Sequence, residues 1–249
     1  MWRAAARAAG IGNRLLTVMA GLLVFLMLTY GTYSLWDTYR VSQNAFVSAE
    51  LRNYKPGGGR ESAGFAELRE LNPDVCAWIT IPDTHIDYPV LQGENDMVYV
   101  NQDVYGEFSL SGAIFLASAD SPDFSDGYSL LYGHHMDNGA MFGDVAKFTE
   151  KKYFTEHPDG ALYLPEKTLA IHIFACVETD AYDERIYHSG KDEDISQLLS
   201  HIWDKVVQYR EAERGEALIG LSTCADDVGT NGRVVIFGWL EETPAGREV

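Results

Sequence analysis

The amino-acid sequence predicts a mainly β domain with added helices, closed or nearly closed into a barrel and carried behind one N-terminal transmembrane helix. Three observations lead there. Eight short apolar runs between Cys76 and Leu240, many rich in Val, Ile, Tyr and Phe, are separated by turn residues, as in a barrel and unlike a parallel α/β sheet. No residue from Leu15 to Trp36 is charged, and a helix over that run would cover about 33 Å at ~1.5 Å per residue, enough to span a bilayer core. Finally, one amphipathic helix interrupts the apolar runs late in the chain.

Composition narrows the function. The 249 residues carry 19 Lys and Arg against 37 Asp and Glu, a net charge of −18, so nucleic acid is an unsuitable partner. Three cysteines, Cys76, Cys176 and Cys224, are odd in number and widely separated, which argues against a disulfide framework and against a CxxC metal knuckle. The length suits one well-buried domain with a smaller appendage.

Taken in order, residues 1–14 form a basic tail with Arg3, Arg7 and Arg14, and no acidic residue appears before Asp37. That asymmetry places the N-terminus inside the cell and the body outside. The apolar run 15–36 exceeds the ~7–15 residues of a usual signal-peptide core and no A-x-A-like site follows it, so an anchor is expected rather than a cleaved leader. Residues 37–61 are expected as a stalk ending in the linker Lys55-Pro56-Gly57-Gly58-Gly59, and 62–249 as the extracellular body. A short helix over Ser62–Leu71, with Ser62 as cap and Phe65, Leu68 and Leu71 on one face, precedes the strands.

The strand candidates are 76–81, 88–91, 113–116, 128–132, 161–164, 169–177, 217–223 and 234–240. Helical pattern interrupts them over Met141–Phe154 and over the series Ile195, Leu198, Leu199, Ile202 and Val206, where Asp192 and Asp194 sit near the favourable start,.

The chemistry centres on Gly220-Leu221-Ser222-Thr223-Cys224, an apolar run closed by a cysteine, and on Arg233, which opens the next run. A thiol needs a base to become a thiolate, and acyl transfer needs a cation or hydrogen donor beside its oxyanion. Of seven histidines, His134 stands where the run Ser129–Tyr132 and Gly133 turn into a loop, a placement both rigid and exchangeable. His201 falls on the polar side of the amphipathic helix and His172 within a strand. Papain-like folds place cysteine before histidine, the opposite of the order here. A zinc site using His134 and His135 is disfavoured because adjacent residues on an extended chain point apart.

The runs Leu131-Tyr132-Gly133-His134-His135-Met136 and Leu221-Ser222-Thr223-Cys224, with Arg233, resemble a sortase. Tyr88-Pro89-Val90-Leu91-Gln92-Gly93, Tyr99-Val100-Asn101, Gly112-Ala113-Ile114-Phe115 and Met141-Phe142 support the resemblance over about Leu68–Leu240. The helix before the cysteine strand and the helices before the barrel are similar to class B members. The resemblance implies an eight-stranded sortase-type barrel and a membrane-tethered transpeptidase of Gram-positive bacteria that needs no cofactor. It implies that Cys224 attacks a carbonyl in the C-terminal sorting signal of a secreted protein to form a thioacyl enzyme. A peptidoglycan-precursor or pilin amine would resolve that enzyme, with His134 as general acid and then base and Arg233 holding substrate and oxyanion. Tyr132, Ser222, Thr223, Ile186 and Asp96 would contact substrate, although Asp96 stands where other members often have Asn. Two other readings stay open: a membrane-anchored domain that binds without catalysis, and a hydrolytic cysteine peptidase.

Overall fold

The computed structural model describes residues 2–56, 61–190, 194–224 and 231–243, within two compact units, 1–43 and 44–249. The linker glycines 57–59 and Asp192 lie outside the described residues. The first unit is a single helix, α1 (Trp2–Asn44). Its stretch Gly10–Tyr39 has a mean hydropathy of 2.0 with none of the most apolar window buried, and is long and apolar enough to cross a membrane. Thr17, Thr29, Thr32 and Thr38 each donate their hydroxyl to the carbonyl four residues back, so these polar groups are satisfied within the helix, as a lipid surrounding demands.

The second unit contains all eight runs as strands: β1 (Val75–Thr80), β2 (Asp87–Leu91), β3 (Ile114–Leu116), β4 (Tyr128–Tyr132), β5 (Asp159–Tyr163), β6 (Thr168–Asp180), β8 (Ala217–Cys224) and β9 (Gly232–Glu242). Around the sheet they follow the order β5-β1-β2-β3-β4-β8-β9-β6, and β6 pairs back onto β5 to close an eight-stranded barrel. The pairs β2–β3 and β4–β8 are parallel and the others antiparallel. Closure leaves no bare edge in the ring.

A ninth strand, β7 (Val206–Tyr209), was not among the expected runs. β6 is long enough to pair its first half with β5 and its Ala175–Val177 part with β7, while β9 flanks its other side throughout. Val206 therefore leaves the amphipathic helix, which is α5 (Ile195–Lys205), capped by Asp194 through the Ser196 and Gln197 amides. Leu198 and Ile202 already supply the buried helix face, and the β-branched Val206 pairs with Val177 on β6 instead,.

The expected helix over Met141–Phe154 is two pieces, a 3-10 helix over Gly143–Thr149 and α4 (Lys151–Glu156), separated by an extended Glu150. It cannot begin at Met141, whose φ is 55°. A Cβ at Gly143 would stand 2.1 Å from the Met136 carbonyl oxygen, so only glycine admits this close approach. The helix α3 spans Glu61–Leu71.

Strand alternation builds two cores. Leu131, Ile219, Leu221, Val234 and Ile236 belong to the larger cluster with Trp78, Phe142 and Phe148. The alternate residues Tyr128, Leu130, Leu218, Val235, Phe237 and Trp239 form the second cluster with Ile186, Leu198 and Ile202, so α5 and the chain before it cover the other side of β4, β8 and β9. The folded body begins upstream of Pro56. Ala45, Val47 and Leu51 join the larger cluster, and α2 (Ala49–Arg52) is capped by Ser48.

Candidate active site

Register brings the candidate residues to one end of the barrel. β4 and β8 run parallel with Tyr132 opposite Ser222, and the Gly133 amide donates to the Ser222 carbonyl at 3.2 Å. His134 lies two residues beyond Tyr132, and Cys224 two beyond Ser222. On the other flank β8 and β9 run antiparallel with Cys224 opposite Arg233. Three adjacent strands, ~4.8 Å apart, thus deliver a histidine, a cysteine and an arginine to the same rim. The backbone of Cys224 is described; its side chain lies outside the described residues.

These positions also share a face. Positions 128, 130 and 132 on β4, 218, 220 and 222 on β8, and 235, 237 and 239 on β9 alternate toward the second core, and positions 224 and 233 are in phase with them. The Arg233 Nη1 donates to the Gly232 carbonyl at 2.9 Å. His134 is half-buried, and burial holds its pKa below the usual histidine value,. The Phe142 amide donates to the His134 carbonyl at 3.0 Å, which fixes the backbone of the histidine.

Beside the rim stands an aromatic wall. Tyr132 stacks on Phe115 at 5.2 Å between centroids and on Tyr187 at 6.2 Å. Burial, with Asp96 adding repulsion, pushes the Tyr132 phenol far above its usual range, so it stays neutral. Tyr187 Oη lies 3.0 Å from Ser222 Oγ. Asp96 accepts the Ser118 amide at 2.6 Å and so borders this wall from the loop after β2.

Two of the sequence-derived contact residues are placed differently from Tyr132 and Ser222. Thr223 is out of phase with Ser222 and shares the face of Leu221, although both side chains are buried. Ile186 is fully buried in the second core, and its carbonyl accepts the Tyr128 hydroxyl at 3.0 Å. The adjacent Tyr187 is the residue that reaches Ser222, and sequence reasoning passed it over; its only signal was an aromatic side chain beside a core isoleucine. The stretch around it is fastened by Asp183, which accepts Thr179 Oγ1 at 2.5 Å, and His201 Nε2 and Lys205 Nζ each at 2.9 Å. Burial alone would raise that carboxyl, but these donors hold it well below the usual range. His201 thus serves this fastening, and His172 bonds Asp159 at 2.8 Å.

The other two thiols differ from this rim in kind. Cys76 and Cys176 are buried and free, and burial pushes Cys76 up to about 12 and Cys176 higher still, so neither forms a thiolate at neutral pH. Among the described residues no group of three or more His, Cys, Asp or Glu is placed to hold a metal ion.

Comparison with known proteins agrees with this geometry. A sortase-domain family model matches residues 79–241. Sortase B of Listeria monocytogenes is 32% identical over 181 residues, covering 70% of this chain and 72% of that protein. A Streptococcus pyogenes class B sortase involved in pilus biogenesis superposes with a TM-score of 0.64 at 40% identity, over 71% of this chain and 97% of that one. The Staphylococcus aureus sortase B in its substrate complex shares the fold at a TM-score of 0.68 and 23% identity, over 74% of this chain and 87% of its own. A closed eight-stranded barrel that brings histidine, cysteine and arginine to one rim, within a chain so matched, belongs to the sortase family, and this protein is a class B sortase, a cysteine transpeptidase.

Proposed function

We propose that Cys224, His134 and Arg233 transfer the acyl part of a C-terminal sorting signal from a secreted protein to an amine. The observation that carries this reading is the register: Cys224 opposite Arg233 on one side, and β4 leading to His134 on the other. The Cys224 thiolate attacks the scissile carbonyl carbon, and Arg233 stabilises the oxyanion. His134 gives its proton to the leaving amine as the C–N bond breaks, leaving a thioester. The incoming amine then attacks that carbonyl, His134 takes its proton, and the C–S bond breaks to restore the thiolate. With a thiol pKa of about 8.5 and a histidine of about 6.5, on the order of 1% of molecules hold thiolate and imidazolium together near neutral pH. Burial of His134 lowers that share, so turnover is slow.

An extended peptide lies along Tyr132, Ser222 and Tyr187, with Asp96 at its border and Thr223 and Ile186 supporting from behind. The helix α1 anchors the enzyme through residues 15–36, with the basic tail 1–14 inside and the catalytic body outside. The acceptor is a peptidoglycan-precursor or pilin amine, and similarity to the S. pyogenes enzyme involved in pilus biogenesis supports the pilin.

The test uses the full chain in detergent with a peptide selected from a library of short sorting motifs, with and without triglycine as the amine. The expected result is that triglycine converts hydrolysed peptide into an amide conjugate. Hydrolysis unmoved by triglycine would make the protein a peptidase. An absence of cleavage and of any Cys224 adduct would make it a binding domain.

A further inference from the structure

We infer that Tyr88 is a positioning residue for the catalytic histidine, and that the segment 45–52 ahead of the linker completes its action. The inference rests on the role proposed for His134.

The loop that carries His134 is a closed clip. His135 bridges to Met141, the Phe142 amide returns to the His134 carbonyl, and the Gly139 amide donates to the Met136 carbonyl at 2.9 Å. Gly139 makes that turn with φ 83°, a conformation side-chain-bearing residues avoid. The clip closes on Met141, whose φ of 55° is costly for a residue with a side chain and persists only where the surroundings hold it. What holds it is on β2. Tyr88 Oη accepts the Met141 amide at 2.8 Å and donates to the Ala45 carbonyl at 3.1 Å, both bonds buried. One hydroxyl therefore uses both its functions, one toward the histidine loop and one toward the N-terminal segment.

Neither partner has an obvious substitute. Tyr88 is 5% exposed, and its phenol is pushed up to about 12 by burial, so it donates throughout the working range. Ala45 is held by the packing of its own segment, since Val47 and Leu51 are buried in the barrel cluster. The exit of the same loop is fastened independently: Asp144 accepts the His85 amide at 2.8 Å, its Nδ1 at 2.9 Å and Lys147 Nζ at 2.7 Å. With that second fastening in place, loss of the Tyr88 hydroxyl frees the clip locally while the body stays folded. Misplacing a general acid by a fraction of an ångström slows chemistry without weakening substrate binding.

The experiment compares the full chain in detergent with its Tyr88→Phe and Leu51→Ala variants, measuring kcat, KM, thermal midpoint and amide exchange at Met141 and Phe142. Tyr88→Phe is expected to lower kcat about tenfold with KM within about twofold, and to speed exchange of the Met141 amide. Leu51→Ala, which loosens the segment bearing Ala45, is expected to lower kcat about threefold in the same direction. If Tyr88→Phe does not fold, Leu51→Ala decides. Unchanged kcat per folded molecule, or a change confined to KM, overturns the inference while leaving His134 in its role. A wild-type chain that forms no adduct at Cys224 removes the proposed function and this inference together.

Discussion

The two faces of the β4–β8–β9 ladder are made by the same three strands, yet they do different work. Residues 131, 219, 221, 234 and 236 point into a closed apolar core of the barrel. Their alternate neighbours meet α5 and its preceding loop for part of their length, then give way at the rim to Tyr132, Ser222 and Arg233. The first face is buried and apolar apart from the hydroxyls of Ser129 and Thr223. The second begins as core and ends at the proposed site, because β4 and β8 run parallel and reach the same rim together. A parallel pair inside a mainly antiparallel barrel is what brings the strand ends that lead to His134 and Cys224 side by side.

The contrast breaks most sharply with one substitution on each face. Cys224→Ala should lower acyl transfer by at least about a thousandfold while moving the thermal midpoint by no more than ~2 °C. Leu221→Ala, three residues upstream on the inner face and 1% exposed, should cost about 2–5 kcal/mol of stability with kcat per folded molecule preserved. Calorimetry and single-turnover kinetics on both variants check the pair; a Leu221→Ala enzyme that stays stable but loses activity would erase the distinction.

Arg233→Lys keeps the charge but loses the planar fork of donors. A drop of about a hundredfold in kcat/KM, without a change in melting, is expected from steady-state kinetics.

Asp120 shows that the second face also carries a stability cost. It is 4% exposed and accepts the Leu130 amide at 2.8 Å, and burial raises its pKa from 3.8 to about 6. The folded state therefore holds this proton more tightly than the unfolded one, and the group's contribution to stability improves as pH falls from about 6 toward 3.8,. Asp120→Asn, which can still accept from Leu130, should stabilise the protein by on the order of 2 kcal/mol at pH 7.5 and by nothing near pH 4, as read from urea melts at the two pH values. The smallest effect is at the aromatic wall: Tyr187→Phe removes the partner of Ser222 Oγ and should raise KM about threefold with kcat held.

Much of this arrangement was legible in the sequence, for physical reasons that also explain what was not. The eight barrel strands announce themselves by apolar β-formers between turn residues, and residues 134, 224 and 233 stand out because each sits where such a run ends or begins. β7 stayed hidden because Val206 fits the helical spacing of Ile195, Leu198 and Ile202 equally well, and only pairing with β6 decides between the two. Residues 45–52 looked like stalk because Pro56 and the glycines after it form the stronger break, whereas burial of Leu51 depends on a surface distant in sequence. Tyr187 and Tyr88 set their hydroxyls on partners 35 and 53 residues away, a relation no local pattern encodes.

Intact-protein mass spectrometry of the full chain, seconds after mixing with the selected sorting peptide, tests most directly the convergence of three strand ends on one acyl transfer. A peptidyl adduct on Cys224 in the wild type, absent in Cys224→Ala and formed at least about a hundredfold more slowly in His134→Ala and Arg233→Ala, is the result expected. An adduct on Cys76 or Cys176, or one that forms at Cys224 just as fast without His134 and Arg233, would contradict it.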